Sequence, residues 1–252
     1  MVFTGPQRKG GNKVTEPTAG PQPGSTDDAL RADVTLPEAV MLLLFDPRTG
    51  TIAGEGQSLM YTLGGAMLTE LAMRGHIELD ERNRRVRAGH VPEDSLLRGA
   101  WDRVPQTATG VRGLAIDIGV RSRDSTLNRL LARGDIRQEP RRLLGFIPTR
   151  TLKGGDTGTR DRLLGPVRSA LVDGVDPDAR VATLVALLSA SKSLPAMDAD
   201  IPWSGEVYKR GKRFERGDWG AKATSNVILS TLVVQIVGTA FATTVATLAQ
   251  PD

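Results

Sequence analysis

The pattern of apolar and polar residues repeats itself within the chain. Residues 63–79 read LGGAMLTELAMRGHIEL, and residues 125–136 read STLNRLLARGDI. In both stretches, leucines one helical turn apart are followed by Arg-Gly and then by an isoleucine, which predicts a helix that stops at the glycine and continues as a short strand. Glycine adopts the left-handed conformation that often ends a helix at little cost. We therefore expect two helix–glycine–strand units, with Gly75 and Gly134 at the helix ends.

The same pattern predicts the elements around these units. Thr35 and Glu38 fit a capping box, and the run that follows, to Phe45, is apolar on every face, which indicates a helix buried on all sides. Polar residues after Leu79 predict a turn, with a return strand from Val86. A helix is predicted over 92–101, two separate segments over 111–118 and 124–133 lead through the second unit, and two helices follow over 159–171 and 179–190.

The two ends of the chain differ from its middle. Residues 1–34 hold few apolar anchors, which predicts a disordered N-terminal tail before one domain over 35–252. Residues 223–251 carry no charge, and a bilayer span needs roughly 20 predominantly apolar residues. Repeated Thr, Ser, Asn and Gln interrupt this segment, so we favour a buried apolar C-terminal helix over a membrane anchor. The fold class predicted is mainly α: a single compact helical domain with short β-hairpins after the two units.

Composition narrows the possible functions. Aromatic residues make up only 4% of the chain, so the core must be aliphatic, and there are no cysteines and only two histidines. A histidine-based triad or zinc site would have to draw on that small set, and neither a P-loop nor a nucleophile elbow is complete. We therefore expect a non-enzyme without a cofactor or metal. A formal charge of +4 permits an anionic partner.

One stretch combines apolar residues with flanking cations. Residues 143–152 read LLGFIPTRTL, with Phe146 and Ile147 at the centre and Arg142 and Arg150 at the flanks. An apolar tip ringed by cations suits a membrane interface, because the tip can enter the headgroup layer while the cations meet phosphates. Self-association and ordinary core packing are the alternatives for the same residues.

Several of these stretches together resemble one family. The motifs that carry the resemblance are LPEAVMLLL, DPRTG, the ELAMRG-type turn of the first unit, the second unit and residues 176–194. They are similar to the Golgi phosphoprotein 3 family. The resemblance implies a mostly helical domain that docks on the cytosolic face of membranes by gripping the headgroup of phosphatidylinositol 4-phosphate, as an adaptor that sorts Golgi glycosyltransferases. The composition, rich in Ala, Arg, Gly and Asp, is typical of a bacterial protein, so the Golgi role is not carried over.

The headgroup site of that family can be compared residue by residue. The family pairs a Trp and an Arg flanking the first repeat helix with two Arg residues before the second. An ungapped alignment places Glu55 at the Trp position and Gly64 at the first Arg position. It places Val120 and Arg123 at the later Arg pair, and Arg121 is adjacent to Val120. Arg121 and Arg123 remain as candidates, since guanidinium groups pair well with phosphate. This predicts weak, salt-sensitive binding to anionic phospholipid with little headgroup selectivity.

These features favour a peripheral membrane protein at the inner, cytoplasmic face of the membrane. Two other classes of protein are alternatives. A winged-helix nucleic-acid binder also uses a helix followed by a hairpin, but it needs basic residues on the recognition helix. Over residues 66–73, the first repeat helix has Glu70 as its charged residue, and over 126–132 the second has Arg129. Neither helix has the basic residues of a recognition helix, so we expect no nucleic-acid partner. A purely structural interaction module, including a homo-oligomer, is the other class.

Overall fold

The computed structural model describes residues 1–2, 34–80, 85–143 and 147–218, and it is mainly helical as predicted. Most of the predicted N-terminal tail, residues 3–33, and the predicted apolar C-terminal helix lie outside these residues. The described helices are α1 (Leu36–Leu44), α2 (Gln57–Met73), α3 (Ser95–Trp101), α4 (Val111–Arg133), α5 (Thr159–Arg168), α6 (Ala179–Ala190) and α7 (Gly205–Glu215), with a π-helical turn at Ser169–Asp173 and a 3-10 turn at Leu194–Met197.

Short antiparallel strands connect these helices. They are β1 (Phe45–Asp46), β2 (Thr51–Ile52), β3 (Ile77–Asp80), β4 (Arg85–Ala88), β5 (Thr109–Gly110), β6 (Ile136–Leu143) and β7 (Ile147–Gly154). β1 pairs with β2, β3–β4–β5 form a three-stranded sheet, and β6 pairs with β7 from Ile136 opposite Gly154 to Leu143 opposite Ile147. A hairpin therefore follows each of the two predicted units.

The helix ends of both units have the predicted geometry. Gly75 and Gly134 have φ of 74° and 79°, in the left-handed region, and one residue separates each from the strand that follows. Arg74 pairs with Glu70 one turn earlier, with 2.6 Å between Nε and Oε1. The local sequence pattern thus determines where each helix stops.

The second unit departs from the prediction in one respect. Residues 111–118 and 124–133 were predicted as separate segments, and they form one continuous helix, α4. Gly119 lies inside it because α4 crosses α2 closely at this point: a Cβ on Gly119 would lie 2.1 Å from the carbonyl oxygen of Met60. A Cβ on Gly64 of α2 would lie 1.9 Å from the carbonyl oxygen of Ala115. These glycines serve close helix packing, which local sequence does not distinguish from a helix break.

The core consists of two clusters of buried apolar residues that share α2 and α4. One surrounds α1, in which every residue is buried, and α6. The other surrounds α3 and the β3–β4 hairpin. The first half of α2 packs in the first cluster and the second half in the second, whereas α4 runs through them in the opposite order. The two long helices therefore join the clusters into one domain.

Two fully buried carboxylates hold the start of α1. Glu38 Oε2 accepts from the amide and the hydroxyl of Thr35 at 2.9 and 2.6 Å, which is the predicted capping box. Its other oxygen lies 3.1 Å from both Arg129 Nε and Arg133 Nη1 of α4. Glu70 Oε2 accepts from the Leu36 amide at 2.7 Å. Buried charge is tolerated here because each carboxylate has cationic and amide partners.

The predicted helix over 159–171 continues past α5 in another form. Pro166 lies inside α5, and the chain then widens into the π-helical turn before Gly174. None of the helices in the described ranges combines the length and the hydropathy needed to cross a bilayer.

Candidate functional site

Two positions aligned with the family's headgroup site, Glu55 and Arg123, meet where α2 begins beside α4. Glu55 precedes α2, and Arg123 lies in α4, 68 residues later in the chain. The Arg123 guanidinium forms an ion pair with Glu55, and its Nη1 donates to Asp124 Oδ1 at 2.9 Å. The hydrogen bond to Glu55, followed by that to Asp124, raises the pKa of Arg123 above its ordinary value, although burial acts in the opposite direction. Arg123 is therefore a permanent cation, but two carboxylates compensate its charge.

The two remaining family positions offer no group that could hold a phosphate. Gly64 lies buried at the α2–α4 crossing, where the backbone of Ala115 occupies the space of a side chain. Val120 is an exposed apolar residue on α4. Of the four positions, one carries a cation, and Glu55 occupies the place that the family gives to an aromatic residue. This arrangement lacks both the platform and the multiple donors of a selective headgroup site.

Arg121 and Arg123 do not converge on one ligand position. They are two residues apart on α4, so their side chains leave the helix about 160° apart. Arg121 Nε lies 3.6 Å from Asp117 Oδ1, and Arg121 lines a groove between α3 and α4 that does not include Arg123. The two candidate arginines thus belong to different surfaces. Their spacing along a helix could have indicated this from the sequence.

The β6–β7 hairpin extends from the domain, and we call residues 136–154 the basic arm. Ile136 at its base is buried, whereas residues 137–141 are all exposed, so both faces of β6 are open there. The register places Arg137 opposite Lys153 and Arg141 opposite Thr149, on one face. Among the residues that the structure describes, neither Arg141 nor Lys153 has an ion-pair partner.

The predicted residues of the arm are described to different extents. Arg150 in β7 is exposed, and its Nη1 donates to Gln138 Oε1 at 3.2 Å. The backbone of Arg142 lies in β6 and that of Ile147 begins β7, but their side chains are outside the described residues, as is Phe146. Membrane insertion or self-association of Phe146 and Ile147 therefore stays a prediction.

The densest run of basic residues lies on α7, where most of its cations have local partners. Lys209 pairs with Glu206 at 3.0 Å, and Lys212 pairs with Glu215 at 2.8 Å. Arg210 Nη1 donates to the carbonyl of Leu171 in the π-helical turn, at 3.0 Å. These local partners indicate that the run is a solvated helix face.

Comparison with protein-family profiles identifies a family for this chain. The profile of the Golgi phosphoprotein 3 (GPP34) family matches residues 36–231, which is most of the chain and includes both helix–glycine–strand units, the arm and the elements around them. The same comparison with individual curated proteins found none that matches.

Proposed function

Because the chain belongs to the Golgi phosphoprotein 3 family, we propose that it is a peripheral membrane protein that binds anionic phospholipid and catalyses no reaction. The observation that supports this most strongly is the basic arm, which leaves the domain with both faces of β6 exposed. The arm has five basic residues and one acidic residue around the apolar stretch LLGFI. The basic residues suit the negative charge of a membrane surface, and the apolar stretch suits the apolar interior of the membrane.

The energy available from the arm is sufficient for reversible binding. A basic residue close to an anionic membrane contributes roughly 1 kcal/mol, and the contribution falls with added salt. Arg141 and Lys153 would contribute in full, since neither gives up a described ion pair on binding. Arg123 would contribute less because Glu55 and Asp124 already compensate it.

Headgroup selectivity is not part of this proposal. A phosphatidylinositol 4-phosphate site in the manner of the family needs an aromatic residue at position 55 and a cation at position 64, where this chain has Glu55 and Gly64. We expect phosphatidylinositol 4-phosphate to be bound no better than other lipids of equal charge. The proposal includes a non-catalytic adaptor role apart from the Golgi, in which the remainder of the domain would bind a protein cargo at the cytoplasmic face of the membrane.

Vesicle co-sedimentation of the full chain tests the proposal. Phosphatidylcholine vesicles with and without phosphatidylglycerol are compared at one fixed, low salt concentration, using wild type and the variant Arg141→Gln/Lys153→Gln. The loss of two cations should weaken binding to the anionic vesicles by about 2 kcal/mol, which is roughly 30-fold. Phosphatidylcholine vesicles should sediment little protein in either case.

The matched control is Arg112→Gln/Lys192→Gln, which also removes one Arg and one Lys. Both residues are exposed, and neither has an ion-pair partner within the described ranges. If the control loses as much affinity as the arm variant, binding is diffuse and the arm is not the membrane site.

Two further experiments test the alternative functions. A duplex DNA oligonucleotide at the same salt tests the nucleic-acid alternative, and sedimentation velocity without lipid tests self-association. Preferred DNA binding or an arm-dependent oligomer would replace the proposal.

A further inference from the structure

A groove between α3 and α4 forms a second cationic surface, on the side of α4 away from Glu55. Its volume is about 260 Å³, and its lining includes Ser95, Gly99, Arg103, Ile118, Arg121 and Ser125. Drug-sized ligands occupy pockets of roughly 300–1,000 Å³. The groove is therefore of a size for a small molecule, smaller than a nucleotide or a peptide segment.

The two arginines of the groove share one carboxylate. Arg103 Nη1 donates to Asp117 Oδ2 at 2.9 Å, and Arg121 Nε lies 3.6 Å from Asp117 Oδ1. Asp117 thus holds both guanidinium groups at the same wall, and among the described residues no other carboxylate contacts either one. One positive charge remains in excess, and each guanidinium keeps N–H donors that Asp117 does not use.

Arg129, further along the same helix, is an arginine whose charge is compensated by carboxylates. Arg129 makes two parallel bonds to Asp94, Nη1 to Oδ1 at 2.7 Å and Nη2 to Oδ2 at 2.6 Å, and it also lies 3.1 Å from Glu38. Its charge is fully matched within the protein. The two arginines of the groove, by contrast, share a single carboxylate.

The rest of the lining is suited to a ligand with hydroxyl groups and a short carbon skeleton. Ser122 Oγ donates to the carbonyl of Ile118 at 2.7 Å, and Ser125 Oγ donates to that of Ser122 at 3.1 Å. A hydroxyl whose proton is engaged can still accept a hydrogen bond from a ligand. Leu96 and Ile118 are buried at the groove and offer an apolar floor.

We propose that the α3–α4 groove binds the phosphate group of a small hydroxylated phosphate ester, with Arg103 and Arg121 on the phosphate and the serines on the hydroxyls. Arginine pairs favour phosphate because their donors match its oxygens in parallel bonds. This chemistry is shared by soluble polyol phosphates and by glycerophosphate headgroups of lipids. The proposal does not rest on the basic arm.

Isothermal titration calorimetry with glycerol 3-phosphate on the full chain measures this binding. Two variants remove the site in independent ways. Arg103→Gln/Arg121→Gln removes the cations, and Gly99→Leu fills the groove, because a Cβ at Gly99 has no heavy atom within 4 Å. Arg103→Gln/Arg121→Gln should weaken binding at least about tenfold, the effect of losing hydrogen bonds to a charged group. Gly99→Leu should weaken it because the new side chain occupies the space of the ligand.

Two controls make the same chemical changes outside the lining. Gly113→Leu places the same side chain on α4, where a Cβ also has open space, and Arg112→Gln removes an exposed cation from that helix. Both should bind as wild type does, and circular dichroism verifies that all four variants are folded. Sodium chloride at equal ionic strength replaces glycerol 3-phosphate as the blank.

The calorimetry and the vesicle assay distinguish a soluble phosphate ester from a lipid headgroup as the ligand. Binding of glycerol 3-phosphate that Gly99→Leu abolishes supports the site for soluble esters. Sedimentation with phosphatidylglycerol vesicles that Gly99→Leu weakens, while Gly113→Leu does not, supports the site for a lipid headgroup. Absence of both effects, or equal loss in Arg112→Gln, overturns the proposal. Neither result depends on Arg141 or Lys153, so failure here leaves the function of the arm as it stands.

Discussion

Gly64 and Gly119 determine how closely α2 and α4 approach, and they also explain part of the candidate site. A Cβ added at Gly64 would lie 1.9 Å from the carbonyl oxygen of Ala115, and one added at Gly119 would lie 2.1 Å from that of Met60. No rotamer relieves a contact made by Cβ itself. An arginine at position 64 could not be accommodated without moving the helices apart. The family's headgroup arrangement is therefore incompatible with this helix crossing.

The substitution Gly64→Ala should destabilise the protein. Overpacking of this kind costs about 1–3 kcal/mol, and here the clash is with backbone that cannot rotate away. Gly113→Ala is the control, because its Cβ has open space and alanine is favoured over glycine in a helix by roughly 0.5–1 kcal/mol. Urea denaturation followed by circular dichroism measures both. Equal stability of the two variants would mean that the helices adjust freely, contrary to the close crossing.

At the scale of single elements, α3 depends on Asp94. Its Oδ1 caps the helix by accepting from the amides of Leu96 and Leu97 at 2.9 and 3.0 Å, and both its oxygens bind Arg129 of α4. Burial alone would raise the pKa of Asp94, but the bonds from Arg129 and from the two amides outweigh it and hold the pKa below the ordinary 3.8. The ionised carboxylate therefore stabilises the folded state.

Replacing Asp94 by Asn keeps a capping oxygen and removes the charge. We expect a loss of about 2 kcal/mol in the free energy of unfolding near neutral pH, because the charged hydrogen bonds to Arg129 are lost. A carboxyl with a lowered folded-state pKa contributes stability above its unfolded pKa and loses it as the pH falls through the folded value. The difference between wild type and Asp94→Asn should thus shrink from about pH 4 downwards. Denaturation at several pH values tests this, and a difference that does not change with pH would contradict it.

Elements governed by local pattern could be predicted from the sequence, whereas elements governed by distant contacts could not. The stops at Gly75 and Gly134 and the cap at Thr35 follow from neighbouring residues. The continuity of α4 through Gly119 depends on α2, more than fifty residues away. The pairing of Arg123 with Glu55 and that of Arg103 with Asp117 also arise only when distant segments pack. The sequence therefore identifies Arg123 as a candidate cation but does not reveal its pairing with Glu55.

At the scale of the whole molecule, α2 and α4 make the two core clusters interdependent. α2 contributes Leu63 to the cluster around α1 and Leu68 to the cluster around α3, and α4 contributes Leu130 and Ile118 in the same way. Neither cluster can lose its packing without exposing one half of both long helices. The buried carboxylates Glu38 and Glu70 add links between α1, α2, α4 and α6.

This arrangement predicts a single cooperative unfolding transition that responds to either cluster. Leu97 in the second cluster and Leu187 in the first are both fully buried, and truncation of such a leucine to alanine costs about 2–5 kcal/mol. In differential scanning calorimetry, Leu97→Ala and Leu187→Ala should each lower the midpoint of one transition, with equal calorimetric and van't Hoff enthalpies. Two transitions, of which each variant shifts only one, would show that the clusters unfold separately and that α2 and α4 do not couple them.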